Sequence, residues 1–294
     1  MLNWFTSMRY ETSIRRPVEV TGVGLHSGAE VRMRILPAPA GTGIVFVRTD
    51  LNQYRVPATW EYIARVSYAT SLMRKSVLIS TTEHLLSVFY SMGIDNAIVE
   101  LDNLEVPILD GSGAPFVELI SEAGVEHTRR LRRYLRIVKP VRIEANGKSV
   151  AILPSDRFEL SCHVFFSHPL VGEQKLELEV TPDSYAEEIA PARTFGFEYE
   201  LDSMRDMGLI RGASFDNAVC FTRNEVANPG GLRFPDEPCR HKALDLIGDL
   251  ALIGRPLLGR LVAEKAGHAM HTQLVSRIMA DASLYELVTY NKAA

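Results

Sequence analysis

A short motif occurs twice in this chain, as Arg16-Pro17-Val18-Glu19-Val20 and as Lys139-Pro140-Val141-Arg142-Ile143. In both copies a basic residue and a proline precede alternating apolar positions, which is typical of a turn that leads into a strand. Strand patterns follow each copy, and then a helix pattern that contains a histidine, His84 in the first half and His241 in the second. The chain is therefore predicted to fold as two similar halves.

The length of 294 residues suits two domains of ordinary size. Strict alternation predicts strands at 31–35, 158–164 and 175–180, and Asn146-Gly147 predicts a tight hairpin because both positions favour positive φ. Helices are predicted at 82–92, 114–123, 198–207, 236–253 and 270–280. Hairpins followed by helices indicate an α+β fold in which each half is a sheet with helices on one face.

The basic run Arg129-Arg130-Leu131-Arg132-Arg133 is predicted to mark the boundary between a first domain, 1–130, and a second, 135–294. A charge run of this kind can contact phosphate or a membrane surface, but the favoured interpretation is a solvated linker. The formal net charge of -4 gives no reason to expect a nucleic-acid partner.

The amino terminus, Met1–Arg9, lacks the charged start and sustained apolar stretch of a secretory signal, and no later apolar run reaches 18 residues. We therefore expect a cytoplasmic protein with no transmembrane segment. Cys162, Cys220 and Cys239 are odd in number and widely spaced, which favours reduced thiols over a disulfide framework or a cysteine zinc site. Any metal must then be held by histidines and carboxylates.

His241 and Asp245 are the strongest candidates for metal ligands. Their spacing places them on one face of a helix, close enough to hold the same ion. Asp249 continues the same polar stripe one turn later. Because buried charge is tolerated only when it is paired or bound to metal, this stripe is either exposed to solvent or built around an ion.

The other histidines are ambiguous by themselves. Ser80 and Glu83 have the spacing of a capping box, so Glu83 could cap the helix that carries His84 rather than do chemistry. His268 and His271 have helical spacing and could be metal ligands or a surface pair. The patterns leave these alternatives open.

Taken together, eight segments in order resemble the UDP-3-O-acyl-N-acetylglucosamine deacetylase family, the zinc amidases of lipid A biosynthesis. The segments lie at 20–28, 80–85, 93–96, 106–116, 193–197, 232–236, 240–249 and 267–268. The resemblance implies two α+β domains joined near 128–135, with their helices facing each other across the active site. It also implies a β-α-β insert at about 190–225, which walls an apolar passage for the acyl chain, and a smaller insert at about 48–72.

By the same resemblance, His84, His241 and Asp245 bind Zn²⁺ and leave a fourth position open, as catalytic zinc sites do. The reaction implied is removal of acetate from UDP-3-O-(3-hydroxyacyl)-N-acetylglucosamine, the committed step of lipid A biosynthesis. Four residues have implied catalytic roles: Glu83 as general base, His268 as general acid, Asp249 as the residue that orients His268, and Thr194 as a hydroxyl that stabilises the oxyanion.

The resemblance also implies contacts with the acylated UDP-sugar. The expected residues are Lys242 and Lys265 near the sugar or diphosphate, Lys148 at a phosphate, Phe166 on the uracil, and Phe195 and Ile210 along the acyl passage. We expect His26 to be structural. The protein is expected to be a monomer that makes at most a transient contact with the membrane surface.

Three positions depart from the family pattern. Ala69 stands where many members have Cys, Ala213 replaces a common Gly, and His271 occupies a position that does not require His. Two other functions stay open: a zinc amidase that acts on another acylated sugar nucleotide, and a non-catalytic sugar-nucleotide-binding protein with a structural zinc.

Overall fold

The structure is a computed structural model that describes residues 9–64 and 68–290. Most of the amino-terminal segment used to predict the absence of a secretory signal, Met1–Met8, therefore lies outside the described residues. Residues 65–67 of the predicted first insert also lie outside them.

The chain contains eighteen strands and six α-helices within the described residues. The strands are β1 (Tyr10–Ile14), β2 (Val18–Val23), β3 (Glu30–Pro37), β4 (Ile44–Arg48), β5 (Tyr54–Pro57), β6 (Leu72–Arg74), β7 (Val77–Ile79), β8 (Ala97–Leu101), β9 (Val125–Leu131), β10 (Tyr134–Ile137), β11 (Val141–Ala145), β12 (Lys148–Leu153), β13 (Phe158–Phe166), β14 (Gly172–Glu179), β15 (Phe195–Phe197), β16 (Val219–Phe221), β17 (Leu257–Glu264) and β18 (Tyr285–Val288). The helices are α1 (Glu83–Ser91), α2 (Ala114–Ala123), α3 (Pro182–Ser184, continued by a π-helical turn), α4 (Glu198–Asp206), α5 (Glu237–Leu250) and α6 (His268–Ala280).

The two halves have the same sheet topology. The first sheet has the order β2-β3-β8-β4-β5, in which only the β4–β8 pair is parallel. The second contains the same five-strand arrangement, β11-β12-β17-β13-β14 with β13 parallel to β17, and is extended to seven strands by β10, which is also parallel to β17, and by β18. Along the chain, α1 and α2 lie on either side of β8, as α5 and α6 lie on either side of β17. The prediction of an α+β fold with two similar halves is therefore confirmed.

Local patterns account for most of these elements. In β3, Val31, Met33 and Ile35 are buried on one face while the residues between them are exposed. The turn between β11 and β12 has positive φ at Asn146 and Gly147, which confirms the predicted hairpin. The five predicted helices are also present, with ends that differ by up to three residues.

The helices of the two halves pack against each other. Nearly every residue of α1 is buried, and this helix packs closely against α5 of the second half. One large apolar core runs through both halves, and a smaller cluster of Val171, Phe197, Val219 and Phe221 lies at the insert. The helices therefore face each other as predicted, while the exact domain boundary near 130–135 stays a prediction.

The basic run is not simply a solvated linker. Residues 129–131 belong to β9, which pairs with β1. Arg132 is only 2% exposed, and its guanidinium forms an ion pair with Asp95 at 2.8 Å. The linker interpretation was wrong for Arg132, since the side chain of a residue between two strands can turn inward to a buried carboxylate.

The second-half insert is confirmed as a β-α-β unit: β15, α4 and β16, with the two strands parallel. The first-half insert was predicted too early, because β5 at Tyr54–Pro57 belongs to the main sheet. The additional element there is the small β6–β7 hairpin. Within residues 9–64 and 68–290, no helix has the length and apolar character needed to cross a membrane.

Candidate active site

Three candidate metal ligands converge where α1 meets α5. His84 lies in the first turn of α1, and His241 and Asp245 lie one turn apart on α5. Asp245 Oδ1 is 3.4 Å from His241 Nε2 and 3.9 Å from His84 Nε2. All three side chains are buried, and one ligand atom from each lies within 4.8 Å of the others. Tertiary packing thus joins the pair seen in the sequence to a third ligand from the other half.

Both imidazoles are in the neutral state that a metal requires. Burial lowers the pKa of His241, and burial together with neighbouring His241 lowers the pKa of His84 to about 3. Nδ1 of His241 donates a hydrogen bond to the carbonyl oxygen of Ala192 at 3.0 Å. Because Nδ1 carries the proton, Nε2 has a free lone pair on the side of the ring that faces Asp245. A hydrogen bond of this kind also fixes the ring orientation in known metal sites.

Asp245 supplies the negative charge of the set. Its Oδ2 accepts a hydrogen bond from Lys242 Nζ at 2.9 Å, which leaves Oδ1 facing the two histidines. Burial raises the pKa of this carboxyl, but the positive charges of Lys242 and His268 outweigh it and hold the pKa well below its usual range. Two neutral imidazoles and one carboxylate are a donor set that fits zinc.

Glu83 does not cap its helix. Thr82 is the N-cap residue, and among the described residues no side-chain bond caps this end of α1, so the capping-box interpretation of Ser80 and Glu83 was wrong. Instead, Oε2 of Glu83 accepts a hydrogen bond from the backbone N–H of Thr70 at 3.0 Å. Burial raises the pKa of Glu83 to about 8. The carboxylate points into the interior beside the candidate metal ligands.

Asp249 holds two histidines from α6. Its Oδ2 lies 2.8 Å from Nδ1 of His268 and 2.8 Å from Nδ1 of His271, while Oδ1 accepts a hydrogen bond from the hydroxyl of Thr70. The carboxylate is completely buried, so the acidic stripe of α5 is not a solvated face.

The two histidines that contact Asp249 differ in charge. Burial lowers the pKa of His268, but the charge of Asp249 and its hydrogen bond outweigh this and raise the pKa to about 9. Burial lowers the pKa of His271, so this ring is a neutral donor. His268 is therefore the protonated imidazole beside the candidate metal site.

A cavity of about 800 Å³ opens from this cluster. Glu83, His241, Asp245 and His268 line it, and the apolar side chains of the β15–α4–β16 insert form much of its wall. The insert is held against the first half by hydrogen bonds from the N–H of Arg211 to His26 O and from the N–H of Gly212 to Leu25 O. The cavity thus combines largely apolar walls with the charged side chains of the candidate site.

Most of the predicted substrate contacts line this cavity. Lys148, Phe195, Ile210 and Lys242 do so, whereas neither Phe166 nor Lys265 is among the described lining residues. Thr194, the expected oxyanion hydroxyl, also lines the cavity. Phe166 packs edge-on against Phe195, and the Lys265 ammonium lies over the ring of Phe165.

The backbone N–H of Thr194 donates to Gly111 O at 2.8 Å, which fixes this residue against the first half. His26 also lines the cavity, and its backbone N–H donates to Glu105.

Sequence reasoning missed Thr70 and the contact of His271 with Asp249. Thr70 lies in a short polar segment with no recognisable motif, so nothing in the local pattern indicated its two contacts. The spacing of His271 from His268 is equally compatible with a metal ligand and with a surface position. Only the packing of α6 against α5 places its Nδ1 on Asp249.

Comparison with known proteins agrees with this geometry. Residues 11–280 match the model of the UDP-3-O-acyl N-acetylglycosamine deacetylase family. The chain belongs to this deacetylase family. A UDP-3-O-acyl-N-acetylglucosamine deacetylase from Solibacter usitatus is 66% identical over 287 residues, which cover 98% of this chain and 97% of the relative.

More distant members of the family align over a similar length. The deacetylase from Myxococcus xanthus is 45% identical over 95% of this chain and 89% of its own length. One from Coxiella burnetii is 41% identical over 95% of this chain and 93% of its own length. The similarity to these deacetylases therefore includes both halves and the insert.

Proposed function

We propose that this chain removes acetate from UDP-3-O-(3-hydroxyacyl)-N-acetylglucosamine, a zinc-dependent amide hydrolysis in lipid A biosynthesis. One observation carries the proposal: His84, His241 and Asp245 converge beside Glu83 and His268 at a cavity whose walls are largely apolar. Membership of the deacetylase family supports the same reaction. The cavity provides room for an acyl chain beside the reacting acetamide.

The metal would be held by His84, His241 and Asp245. A zinc ion bound there supplies Lewis acidity and lowers the pKa of water to about 7. The chain's own contribution is a buried, pre-oriented donor set, since His241 is fixed by Ala192 and Asp245 by Lys242. Little rearrangement is then needed when the metal binds.

Glu83 acts as the general base. Oε2 is occupied by the N–H of Thr70, which leaves Oε1 to take a proton from the attacking water. A carboxylate whose pKa is raised toward neutrality is a better base than an ordinary one. Burial provides this shift for Glu83.

His268 acts as the general acid. Because Nδ1 is bound to Asp249, the proton available for transfer is on Nε2, which lies 3.8 Å from Asp245 Oδ2. When the carbon–nitrogen bond of the amide breaks, this proton goes to the glucosamine nitrogen, which leaves as an amine. Thr194, in the cavity wall, provides a hydroxyl that stabilises the oxyanion.

The remaining contacts follow from charge and polarity. Lys148 and Lys242 provide cations for the diphosphate and sugar, and Phe195 and Ile210 provide apolar surface for the acyl chain. Lys265 and Phe166 would contact the nucleotide outside the cavity itself. We place the reaction in the cytoplasm, with the chain acting as a monomer.

Acetate release by purified, zinc-loaded protein tests the proposal. Glu83→Gln and His268→Gln should each lower kcat by about 10²- to 10⁴-fold, the usual contribution of general acid–base catalysis, while zinc content is retained. Glu118→Gln, which changes an exposed glutamate, is the matched control. Near wild-type turnover in both active-site variants would exclude this mechanism.

Substrate comparison separates the alternatives. A non-catalytic binding protein would bind the acylated UDP-sugar and release no acetate from it. An amidase for another sugar nucleotide would hydrolyse a substrate without the 3-O-acyl chain at least as well. We expect the acylated substrate to be strongly preferred, because the apolar cavity would otherwise remain solvated.

A further inference from the structure

Thr70 contacts both parts of the acid–base machinery. Its backbone N–H donates to Oε2 of Glu83 at 3.0 Å, and its hydroxyl donates to Oδ1 of Asp249. The hydroxyl oxygen also lies 3.2 Å from Nδ1 of His268. One residue thus touches the proposed base, the proposed acid and the carboxylate that orients the acid.

These contacts join parts of the chain that are far apart in sequence. Thr70 is 179 residues from Asp249 and 198 residues from His268, so it reaches from the first half into the second. Thr70 and Asp249 are both completely buried. Where water is excluded, an unmade hydrogen bond is costly, and the bonds that are made therefore determine the geometry.

The hydroxyl of Thr70 provides the hydrogen bond to the second carboxylate oxygen of Asp249. Oδ2 is shared by the two imidazoles, His268 and His271, and Thr70 is the donor to Oδ1 among the described residues. If that donor were lost, the carboxylate would be free to turn about its Cβ–Cγ bond. Nε2 of His268 would then move relative to the substrate nitrogen.

We propose that Thr70 is the positioning residue that sets the general acid at a fixed distance from the general base. This inference rests on the proposed function, because it concerns the alignment of Glu83 and His268 on one amide. Proton transfer depends steeply on the position of the donor and acceptor, and small displacements of supporting residues lower the rate. Thr70 itself makes no proton transfer.

The decisive comparison is between Thr70→Val and Thr70→Ser. Valine keeps the shape and the backbone N–H but removes the hydroxyl, whereas serine keeps both donors. We expect Thr70→Val to lower kcat by about 10- to 100-fold, part of the total for acid–base catalysis, with KM and zinc content unchanged. Thr70→Ser should retain most of the wild-type kcat.

Thr12→Val is the matched control. Thr12 is also completely buried and its hydroxyl also makes a hydrogen bond, to Gly93 O, but it lies outside the active site. The Thr12→Val variant should have a lower free energy of unfolding and an unchanged kcat. If Thr12→Val lowers kcat as much as Thr70→Val does, the effect is structural and the proposal is wrong.

A second readout does not depend on turnover. In the zinc-loaded protein, the hydrogen-bonded imidazole N–H protons of His268 and His271 should give low-field NMR signals that shift in Thr70→Val and not in Thr70→Ser. Unchanged signals together with unchanged kcat would overturn the proposal. If the wild-type protein releases no acetate, the proposed function fails, and the NMR comparison still decides whether Thr70 positions Asp249 and His268.

Discussion

Gly248 on α5 lies directly against the backbone of Glu83 at the start of α1. A β-carbon at position 248 would lie 2.1 Å from the carbonyl oxygen of Glu83, closer than any real contact. The absence of a side chain therefore allows the two helices to approach closely enough for His84 to meet His241 and Asp245. A residue that carries no chemistry sets the separation of the ligands.

Gly248→Ala should weaken both the fold and the metal site. Overpacking of this kind typically costs about 1–3 kcal/mol, and here the clash is with backbone, which cannot rotate away. We expect a lower free energy of unfolding in urea and weaker zinc binding. Gly230→Ala is the control, because a β-carbon there has no described atom within 4 Å. Equal zinc affinity in the two variants would show that the helix separation does not control the site.

Zinc should depend on His241 and not on His271. Besides the proposed ligand set, Asp249, His268 and His271 form a second group that could hold a metal. We expect His241→Gln to lose zinc, because it removes one of three ligands, and His271→Gln to retain it. Elemental analysis after dialysis distinguishes the two groups. If His241→Gln retained zinc and His271→Gln lost it, the metal would be bound by Asp249, His268 and His271 instead.

The rate should decline on the alkaline side as His268 loses its proton. Asp249 raises the pKa of His268 to about 9, and a general acid must be protonated, so activity is expected to fall as the pH rises above this value. Asp249→Asn removes the charge that holds the proton. In the pH profile of kcat/KM, the alkaline fall of the Asp249→Asn variant should therefore occur at a lower pH than that of the wild type. An unshifted limb would mean that another group controls this side of the profile.

Arg132 and Arg133 are adjacent in sequence but should differ strongly in their contribution to stability. Arg132 is buried and paired with Asp95, while Arg133 is exposed. Arg132→Met would leave the largely buried Asp95 carboxylate, whose side chain is 14% exposed, without its partner, at a cost of about 3–5 kcal/mol. Arg133→Met should change the free energy of unfolding by less than about 0.5 kcal/mol. Similar values for both in chemical denaturation would contradict the buried ion pair.

Several elements follow from local sequence because their causes are local. The Asn146-Gly147 turn forms since both residues adopt positive φ readily, and β3 forms since its alternating residues match the two faces of a strand. The spacing of His241 and Asp245 on one helix fixes their common direction. These features depend on neighbours within a few residues.

Other features depended on parts of the chain that meet only after folding. The spacing of Ser80 and Glu83 is that of a capping box, yet Glu83 bonds to Thr70 instead. The charge of Arg132 suggested solvent, yet a buried Asp95 pairs with it. In each case two local outcomes were possible, and a distant partner decided between them.

The sequence by itself determined the two similar halves, the helices and strands, and the residue types that could hold a metal. The family resemblance implied that His84 meets His241 and Asp245 and that Asp249 meets His268. Only the tertiary structure added the contact of Asp249 with His271 and those of Thr70 with Glu83 and Asp249. The physical reason is that secondary structure arises from short-range periodicity and backbone preferences, whereas a buried polar site is stabilised by pairings between distant groups. Local patterns do not encode those pairings.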